Sequence, residues 1–399
     1  MTKILFAINT LGRAGAEKSL IEICKRLNPD EYDVSLYVVA GQGELVSDLP
    51  DWVKLINTQY DNSTVLDAAG KKRLKKSVFK KMFVNGSVWK NFFYLCSNGV
   101  RMLFHGGIRP DKLLWKVLSD ASAIPDEEYD LAVAFIEGGA AYFVRDHVKA
   151  RKKAAFIHID YNLAGYTRKL DRECYLDFDR VFAVSGEVRN SFLAAYPELE
   201  DKTDVLHNIV DAQAVMENSE EDCDFGPDGV FRILTVNRLD SQKALNYSID
   251  ACKILKDSGL EFVWIVLGDG SRRRKLEKKV KKLGLTDVFL MPGSVKNPYP
   301  YMRKADIYVH ASRFEGKSIA IREAQILGKP ILVSDCNGNR EQVIDRVDGL
   351  KCELSSEAIA NSIKELLSDE DLRQKLGTAA GKKHKDTSGE LSKLLSLTE

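Results

Sequence analysis

Two glutamates, Glu315 and Glu323, stand eight residues apart in the run His310-Ala-Ser312-Arg-Phe-Glu315-Gly316-Lys317-Ser318-Ile319-Ala-Ile-Arg-Glu323. Read as strand, loop and helix start, the run puts Glu315 in the loop and Glu323 within the first turns of the helix. Gly316, Lys317, Ser318 and Ile319 then bring backbone N–H groups to a helix N-terminus, where free donors and the positive end of the macrodipole attract anions. A carboxylate in the helix suits the vicinal hydroxyls of a ribose, and one in the loop suits the hydroxyls of a sugar. The chemistry implied is recognition of a sugar linked through a diphosphate to a nucleoside.

A second run, Thr235-Val236-Asn237-Arg238-Leu239-Asp240-Ser-Gln-Lys243, ends a strand and carries two cations five residues apart. Arg238 and Lys243 converging on a diphosphate would neutralise the charge that grows as it leaves. Gly12-Arg13-Ala14-Gly15-Ala16-Glu17 is a glycine loop after the first strand. It lacks the third glycine of a dinucleotide fingerprint and the lysine of a P-loop, so nucleotide hydrolysis of the P-loop kind is not expected. His158, in Phe156-Ile157-His158-Ile159-Asp160-Tyr161, ends a strand at the edge where open α/β sheets bind ligands. Taken singly, each feature has an ordinary structural reading: solvated glutamates, surface cations, a tight turn, a strand-end histidine. Their weight comes from occurring together.

The elements that must position these groups recur in one pattern. Residues 3–9 form a buried parallel strand, a helical period through Leu20, Ile21, Ile23, Cys24 and Leu27 follows, and Val34–Ala40 is the next strand. That opens a doubly wound α/β domain, with further strands expected at 131–136, 154–158 and 181–184. After residue 208 the pattern restarts. Strands are expected at 231–236, 261–267, 288–291, 307–310 and 330–334, with helices at 241–258, 271–284 and 319–327. A length of 399 residues exceeds what one core usually supports. The expected division is 1–208, 209–383 and a tail, 384–399, placed against the first domain. An acidic segment, 217–229, has the composition of a linker.

Glu315 through Glu323, with Gly328-Lys-Pro330 beyond it, resembles the Glu-x7-Glu signature of retaining glycosyltransferase family 4, which has the GT-B fold. The resemblance covers most of residues 1–375 and is closest in the second half. It implies two Rossmann-like domains facing across a cleft, and transfer of a hexose-type sugar with retained anomeric configuration. It assigns Arg238 and Lys243 to the donor diphosphate, Glu315 and Glu323 to the donor, and His158 to the reacting sugar, as a positioning and polarising group. It makes the Gly12–Glu17 loop, with Gly15, an approach to the donor, and places Gly268 and Ser294 in loops beside the nucleotide base. Glu137 and Asp160 fall on the acceptor side. The family usually has glycine where this chain has Ala244, so the backbone there is expected to differ. The resemblance also implies a UDP-sugar donor, a glycan or polyprenyl-linked glycan acceptor, and bacterial surface polysaccharide synthesis. No cofactor or metal is expected, since the cations and the helix end meet the diphosphate charge and no Asp-x-Asp motif occupies a donor position. A nucleotide-sugar epimerase of the same architecture and a non-catalytic transferase-like partner are the competing readings. Replacing Lys243 or Glu323 by alanine is expected to cut turnover severely with little loss of folding.

Charge adds one feature. Lys and Arg total 59 against 58 Asp and Glu, a net charge of +1, which disfavours a globally basic nucleic-acid binder. Yet no acidic residue occurs between Asp67 and Asp111, an interval with ten basic ones, Lys71 to Arg109. Large apolar residues are interleaved among them, including Phe79, Phe83, Trp89, Phe92, Phe93 and Tyr94. Basic and apolar residues at helical spacing suit a helix lying on an anionic membrane, and the stretch 71–94 is expected to dock there. Seven scattered cysteines argue against a disulfide framework. The N-terminus lacks the pattern of a signal peptide and no apolar run approaches a membrane span. A cytoplasmic protein, peripheral on the inner face of the cell membrane, is the expectation.

Overall fold

The computed structural model describes residues 1–105, 110–227, 229–383 and 389–399. Arg109 of the basic stretch, residue 228 of the acidic segment and residues 384–388 of the tail lie outside them. The chain divides into two compact units. The first comprises Met1–Ile209 and the C-terminal segment, and the second begins at Val210.

In the first unit seven strands, β1 (Thr2–Ile8), β2 (Tyr32–Val38), β3 (Lys54–Leu55), β4 (Glu128–Ala134), β5 (Lys149–Ile157), β6 (Arg180–Ala183) and β7 (Thr203–Val205), form one sheet. Their order is β3-β2-β1-β4-β5-β6-β7, and every pairing is parallel. Val34, Leu36 and Val38 are buried with Ile4, Phe6 and Ile8 on one face, while Leu5, Ala7, Ala132 and Ala134 pack on the other. Burial on both faces explains why these strands read as continuous apolar runs rather than alternations. The C-terminal helix Glu390–Leu395 belongs to this unit. Leu391 and Leu394 enter its core, Lys393 Nζ donates to the Val205 carbonyl at 2.8 Å, and Glu390 accepts from the His207 amide at 3.2 Å.

The second unit holds β8 (Phe231–Val236), β9 (Phe262–Leu267), β10 (Phe289–Gly293), β11 (Ile307–His310), β12 (Ile331–Ser334) and β13 (Leu350–Cys352). Their order is β10-β9-β8-β11-β12-β13, again all parallel. Both sheets reverse their winding beside the first strand, between β1 and β4 and between β8 and β11. At such a switch point the loops leave in opposite directions and open a crevice at the strands' carboxyl ends. A buried relay aligns three strands of the second sheet. The Trp264 indole N–H donates to Thr235 Oγ1 at 3.1 Å, and that hydroxyl donates to the Val309 carbonyl at 2.8 Å. The relay satisfies the indole that burial would otherwise leave unpaired.

Three expectations need correction. The helix expected from 241 begins at Leu245, because Ala244 adopts φ 48° and ψ 23°, the left-handed region, and so stops the helix. The short strands β3, β7 and β13 escaped the sequence reading. Each has two or three residues, too few to show a period. The segment expected as a linker, 217–229, begins inside a helix, Ala212–Asn218, capped by the Asp211 carboxylate. It is tied into the second unit where Asn297 Nδ2 donates to the Asn218 carbonyl at 2.7 Å.

Candidate active site

The carboxyl edge of the second sheet gathers the chemistry. β8 delivers Asn237, Arg238 and, past the turn, Lys243. β11 ends at His310 and delivers Ser312 and Glu315. β9 ends beside Gly268 and β10 beside Ser294. Because β8 and β11 are neighbours, residues 72 apart in sequence meet: Lys243 Nζ donates to Glu315 Oε1 at 2.5 Å. Both residues are buried, Lys243 8% and Glu315 5% exposed.

Glu315 is held from three sides. His310 Nε2 lies 3.0 Å from the same Oε1, and the Ser312 hydroxyl donates to it. His310 Nδ1 in turn faces the Tyr308 hydroxyl at 3.3 Å. Burial alone would raise the Glu315 carboxyl. The Lys243 ammonium and the hydrogen bond to His310 outweigh it and hold the group well below the usual carboxylate range. Burial, reinforced by Lys243, pushes His310 below the ordinary histidine value. The imidazole is therefore neutral near pH 7, and the net charge of the buried set is that of one ammonium and one carboxylate.

The turn that presents Lys243 is built on Asp240. Its Oδ1 accepts from the Gln242 amide at 2.9 Å and the Lys243 amide at 3.2 Å. Ala244 then reverses the chain in the left-handed conformation, the one that a glycine would adopt without a Cβ penalty. Arg238 is the counterpart of Lys243 in a different environment. Its side chain is 45% exposed, with Nη2 3.7 Å from Asp240 Oδ2.

Glu323 sits in the helix Ile319–Ile326, 2% exposed, and accepts from the Tyr299 hydroxyl at 2.9 Å. The start of that helix differs from expectation in one respect. The Ser318 amide, expected as an open donor, is spent on Gln342 Oε1 at 2.6 Å, and Gln342 Nε2 returns a bond to the Ser318 carbonyl at 2.9 Å. Ser318 Oγ caps the Ile321 amide. Gly316 is buried and Lys317 Nζ lies 3.7 Å from Glu341 Oε1. Gly338 allows the loop to close here, since a Cβ at that position would stand 2.5 Å from the Gly316 carbonyl.

Gly268 has a comparable reason to be glycine. Its φ is 138°, and a Cβ would meet the Asn237 carbonyl oxygen at 2.0 Å. Asn237 itself is informative. Both its Oδ1 and Nδ2 are buried without a hydrogen-bond partner, at the strand end that carries Arg238. Orphaned polar atoms of this kind are costly unless a ligand satisfies them. Ser294 is exposed at the end of β10. Among the described residues no group of three or more His, Cys, Asp or Glu is placed to hold a metal ion.

The first unit has its own cluster at the equivalent edge. Asn9, just after β1, donates through Nδ2 to the Glu137 carbonyl at 3.0 Å and accepts from the Ala140 amide at 2.8 Å, so it ties β1 to the turn after β4. Glu137 Oε2 accepts from the His158 amide at 3.0 Å. His158 Nε2 is buried and without a hydrogen-bond partner. Burial lowers its pKa to about 4, against a hydrogen bond at Phe135, so the ring is neutral near pH 7. Asp160 is turned into its own unit, where Oδ1 accepts from the Leu163 amide at 2.9 Å and from Ser191 Oγ at 2.7 Å. Gly12 is pressed against a side chain of its own unit, since a Cβ there would stand 2.3 Å from Val65 Cγ2. Gly15 is the first residue of the helix Gly15–Arg26. Beneath the cluster, the hydroxyls of Tyr142 and Tyr161 both donate to the buried carboxylate of Asp171.

His310, Ser312, Tyr299, Gln342 and Asn237 were not singled out from the sequence. The only available signal was position: His310 and Asn237 lie at the ends of adjacent strands. Tyr299 and Gln342 have no sequence relation to the residues they hold.

Residues 224–383 match the family model for glycosyl transferases group 1. A Campylobacter jejuni N-acetylgalactosamine-N,N'-diacetylbacillosaminyl-diphospho-undecaprenol 4-alpha-N-acetylgalactosaminyltransferase is 30% identical over 43% of this chain and 46% of its own. An Escherichia coli UDP-Gal:alpha-D-GlcNAc-diphosphoundecaprenol alpha-1,3-galactosyltransferase is 32% identical over 36% of this chain and 38% of its own. The match spans 42% of the length of one uncharacterized Methanocaldococcus jannaschii glycosyltransferase and 52% of another, about half of these curated relatives. Among solved structures, Anabaena HepE in complex with UDP-glucose superposes with a TM-score of 0.68 at 19% identity, over 99% of this chain and all of that one. Staphylococcus aureus TarM in a complex with UDP gives 0.67 at 14% identity, over 100% of both chains. These likenesses show the fold, two Rossmann-like α/β domains of the GT-B kind.

Proposed function

We propose that this chain, whose residues 224–383 match the family model for glycosyl transferases group 1, transfers a hexose-type sugar from a nucleotide-sugar to a glycan or polyprenyl-linked glycan. The observation that carries the reading is the buried Lys243–Glu315 pair at the switch point of the second sheet. A charged pair is costly to bury at a strand edge, and a diphosphate-sugar ligand gives it a use. Lys243 and the exposed Arg238 meet the diphosphate, Glu315 takes hydroxyls of the transferred sugar, and Glu323, aimed by Tyr299, takes the ribose. Asn237 offers a donor and an acceptor to the same ligand. UDP is the preferred nucleotide, supported by the UDP-containing names of several relatives and structural neighbours.

In the reaction the acceptor oxygen bonds to the anomeric carbon while the bond from that carbon to the β-phosphate oxygen breaks. The electron pair leaves with the nucleoside diphosphate, the cations stabilise it, and the acceptor proton passes to the departing phosphate. The anomeric configuration is retained, the leaving group needs no metal, and surface polysaccharide synthesis at the inner face of a bacterial membrane is the setting. In the first unit, His158 is neutral, so it offers a hydrogen-bonding and polarising group at that unit's own strand edge. Glu137 fixes its backbone.

Incubation of the full chain with a panel of UDP- and GDP-sugars and an undecaprenyl-linked glycan tests the reading. Release of UDP that requires the acceptor, with a product of the donor's anomeric configuration, is expected. Donor isomerisation without acceptor would establish an epimerase, and failure to bind any nucleotide-sugar would establish a non-catalytic partner.

A further inference from the structure

The helical segment between β3 and β4 departs from the rule that a surface helix keeps its apolar residues inward. In the helix Ala68–Met82 the inward side is supplied by Gly70, Leu74 and Val78, and Lys81 also turns in, with Nζ 3.1 Å from the carbonyls of Val39 and Ala40. The outward side carries Lys72, Lys75, Lys76, Phe79 and, one turn on, Phe83. In the helix Phe92–His105, Tyr94, Leu95 and Met102 pack on the first unit's core. Phe93, Val100 and Leu103 stand on the opposite side, Phe93 84% and Leu103 80% exposed. Trp89, in the short helix joining the two, is 72% exposed. Every exposed phenylalanine and the one exposed tryptophan among the described residues falls between Phe79 and Phe93.

We infer that this face is a docking surface for an anionic lipid bilayer, with the outward apolar residues inserted and the lysines over the headgroups. Apolar side chains that remain exposed after the inner face has been filled mark an interaction surface. The charge selects the partner. The stretch from 68 to 110 has no acidic residue, so a second copy applied through the same face would set like charge against like. Aromatic and aliphatic side chains flanked by lysine match the interfacial zone of an anionic membrane. Tyr94 and Lys81 do not take part, because both are engaged inside the unit. Val100 and Leu103 extend the surface past residue 94. None of this depends on the donor site, which lies in the other unit.

The test is co-sedimentation of the full chain with vesicles of phosphatidylcholine alone or of phosphatidylcholine mixed with phosphatidylglycerol. Binding to the mixed vesicles, weakened by salt, is expected. Phe93→Ser with Leu103→Ser should abolish it. Lys72→Gln, Lys76→Gln and Lys80→Gln together should lower the partition coefficient roughly a hundredfold, at about a factor of five per cation. Wild-type tryptophan fluorescence should shift to the blue on the mixed vesicles, and Trp89→Phe should remove the shift. All substituted side chains are exposed, and circular dichroism with UDP binding checks that both units stay folded. Equal binding of wild type and the lysine variant, or no vesicle binding by wild type, would overturn the inference. A wild-type dimer that Phe93→Ser dissociates would assign the face to a second copy, and vesicle-independent binding of single-stranded nucleic acid lost in the lysine variant would assign it to that polymer.

Discussion

Lys243 and Glu315 form a buried ion pair, with 2.5 Å between Nζ and Oε1. The pair has a consequence for stability as well as chemistry. Removing one partner strands a buried charge, which costs roughly 3–5 kcal/mol. Lys243→Ala is therefore expected to lower the unfolding free energy of the second unit by an amount of that order, in addition to abolishing turnover. This revises the expectation from sequence that folding would hardly change. Lys243→Met combined with Glu315→Gln should recover most of the stability and none of the activity. Chemical denaturation alongside UDP release measures both.

Arg238 provides the contrast. Its side chain is 45% exposed and paired only loosely with Asp240, so Arg238→Ala should leave the denaturation midpoint within about 0.5 kcal/mol of wild type. Turnover should still fall by two orders of magnitude or so, the loss typical of removing one charge-stabilising donor. A matching fall in stability would count against its assignment to the diphosphate.

His310 acts through Glu315. Its ring reaches Oε1 at 3.0 Å and is backed by Tyr308. In His310→Ala the carboxylate loses a fixed partner, and kcat is expected to drop about tenfold, equivalent to the ~1.4 kcal/mol typical of such a hydrogen bond. Affinity for free UDP, read by calorimetry, should be preserved, and His310→Gln should restore part of kcat. A general loss of UDP binding would show a merely structural role.

Ala244 pays a conformational cost at φ 48°. Ala244→Gly relieves a left-handed strain of roughly 1–2 kcal/mol, offset in part by the greater freedom that glycine gives the unfolded chain. A net gain of up to about 1 kcal/mol is expected, and Ala244→Val should destabilise. Thermal unfolding distinguishes the two directions.

Asp171 links the first unit to pH. Burial raises its carboxyl to about 7, despite hydrogen bonds from Tyr142 and Tyr161. A folded-state pKa above the unfolded value of 3.8 means that the fold favours the protonated form. That contribution is full below pH 4 and is lost as pH rises to about 7. It amounts to ~4 kcal/mol at most, at about 1.4 kcal/mol per pH unit. Asp171→Asn should flatten the stability profile of the first unit between pH 4 and 7. An unchanged profile would refute the assignment.

The residue order alone determined the α/β class, the restart after residue 208 and the strands from β1 to β12 that are long enough to carry a buried apolar run. It also determined the Glu315–Glu323 spacing and the acid-free basic stretch. These are properties of short windows, where backbone preference and burial leave their mark on neighbouring residues. Partnership is a different matter. Lys243 meets Glu315 because β8 lies beside β11, Tyr299 meets Glu323 from a separate helix on the other side of β11 in sequence, and Gln342 takes the Ser318 amide that the sequence presented as open. Strand order sets those distances, and it arises from the packing of the whole sheet. The same holds for the basic stretch. Its composition marked it for an interface, but only packing decided that Lys81 and Tyr94 turn inward while Phe93 and Leu103 remain in solvent.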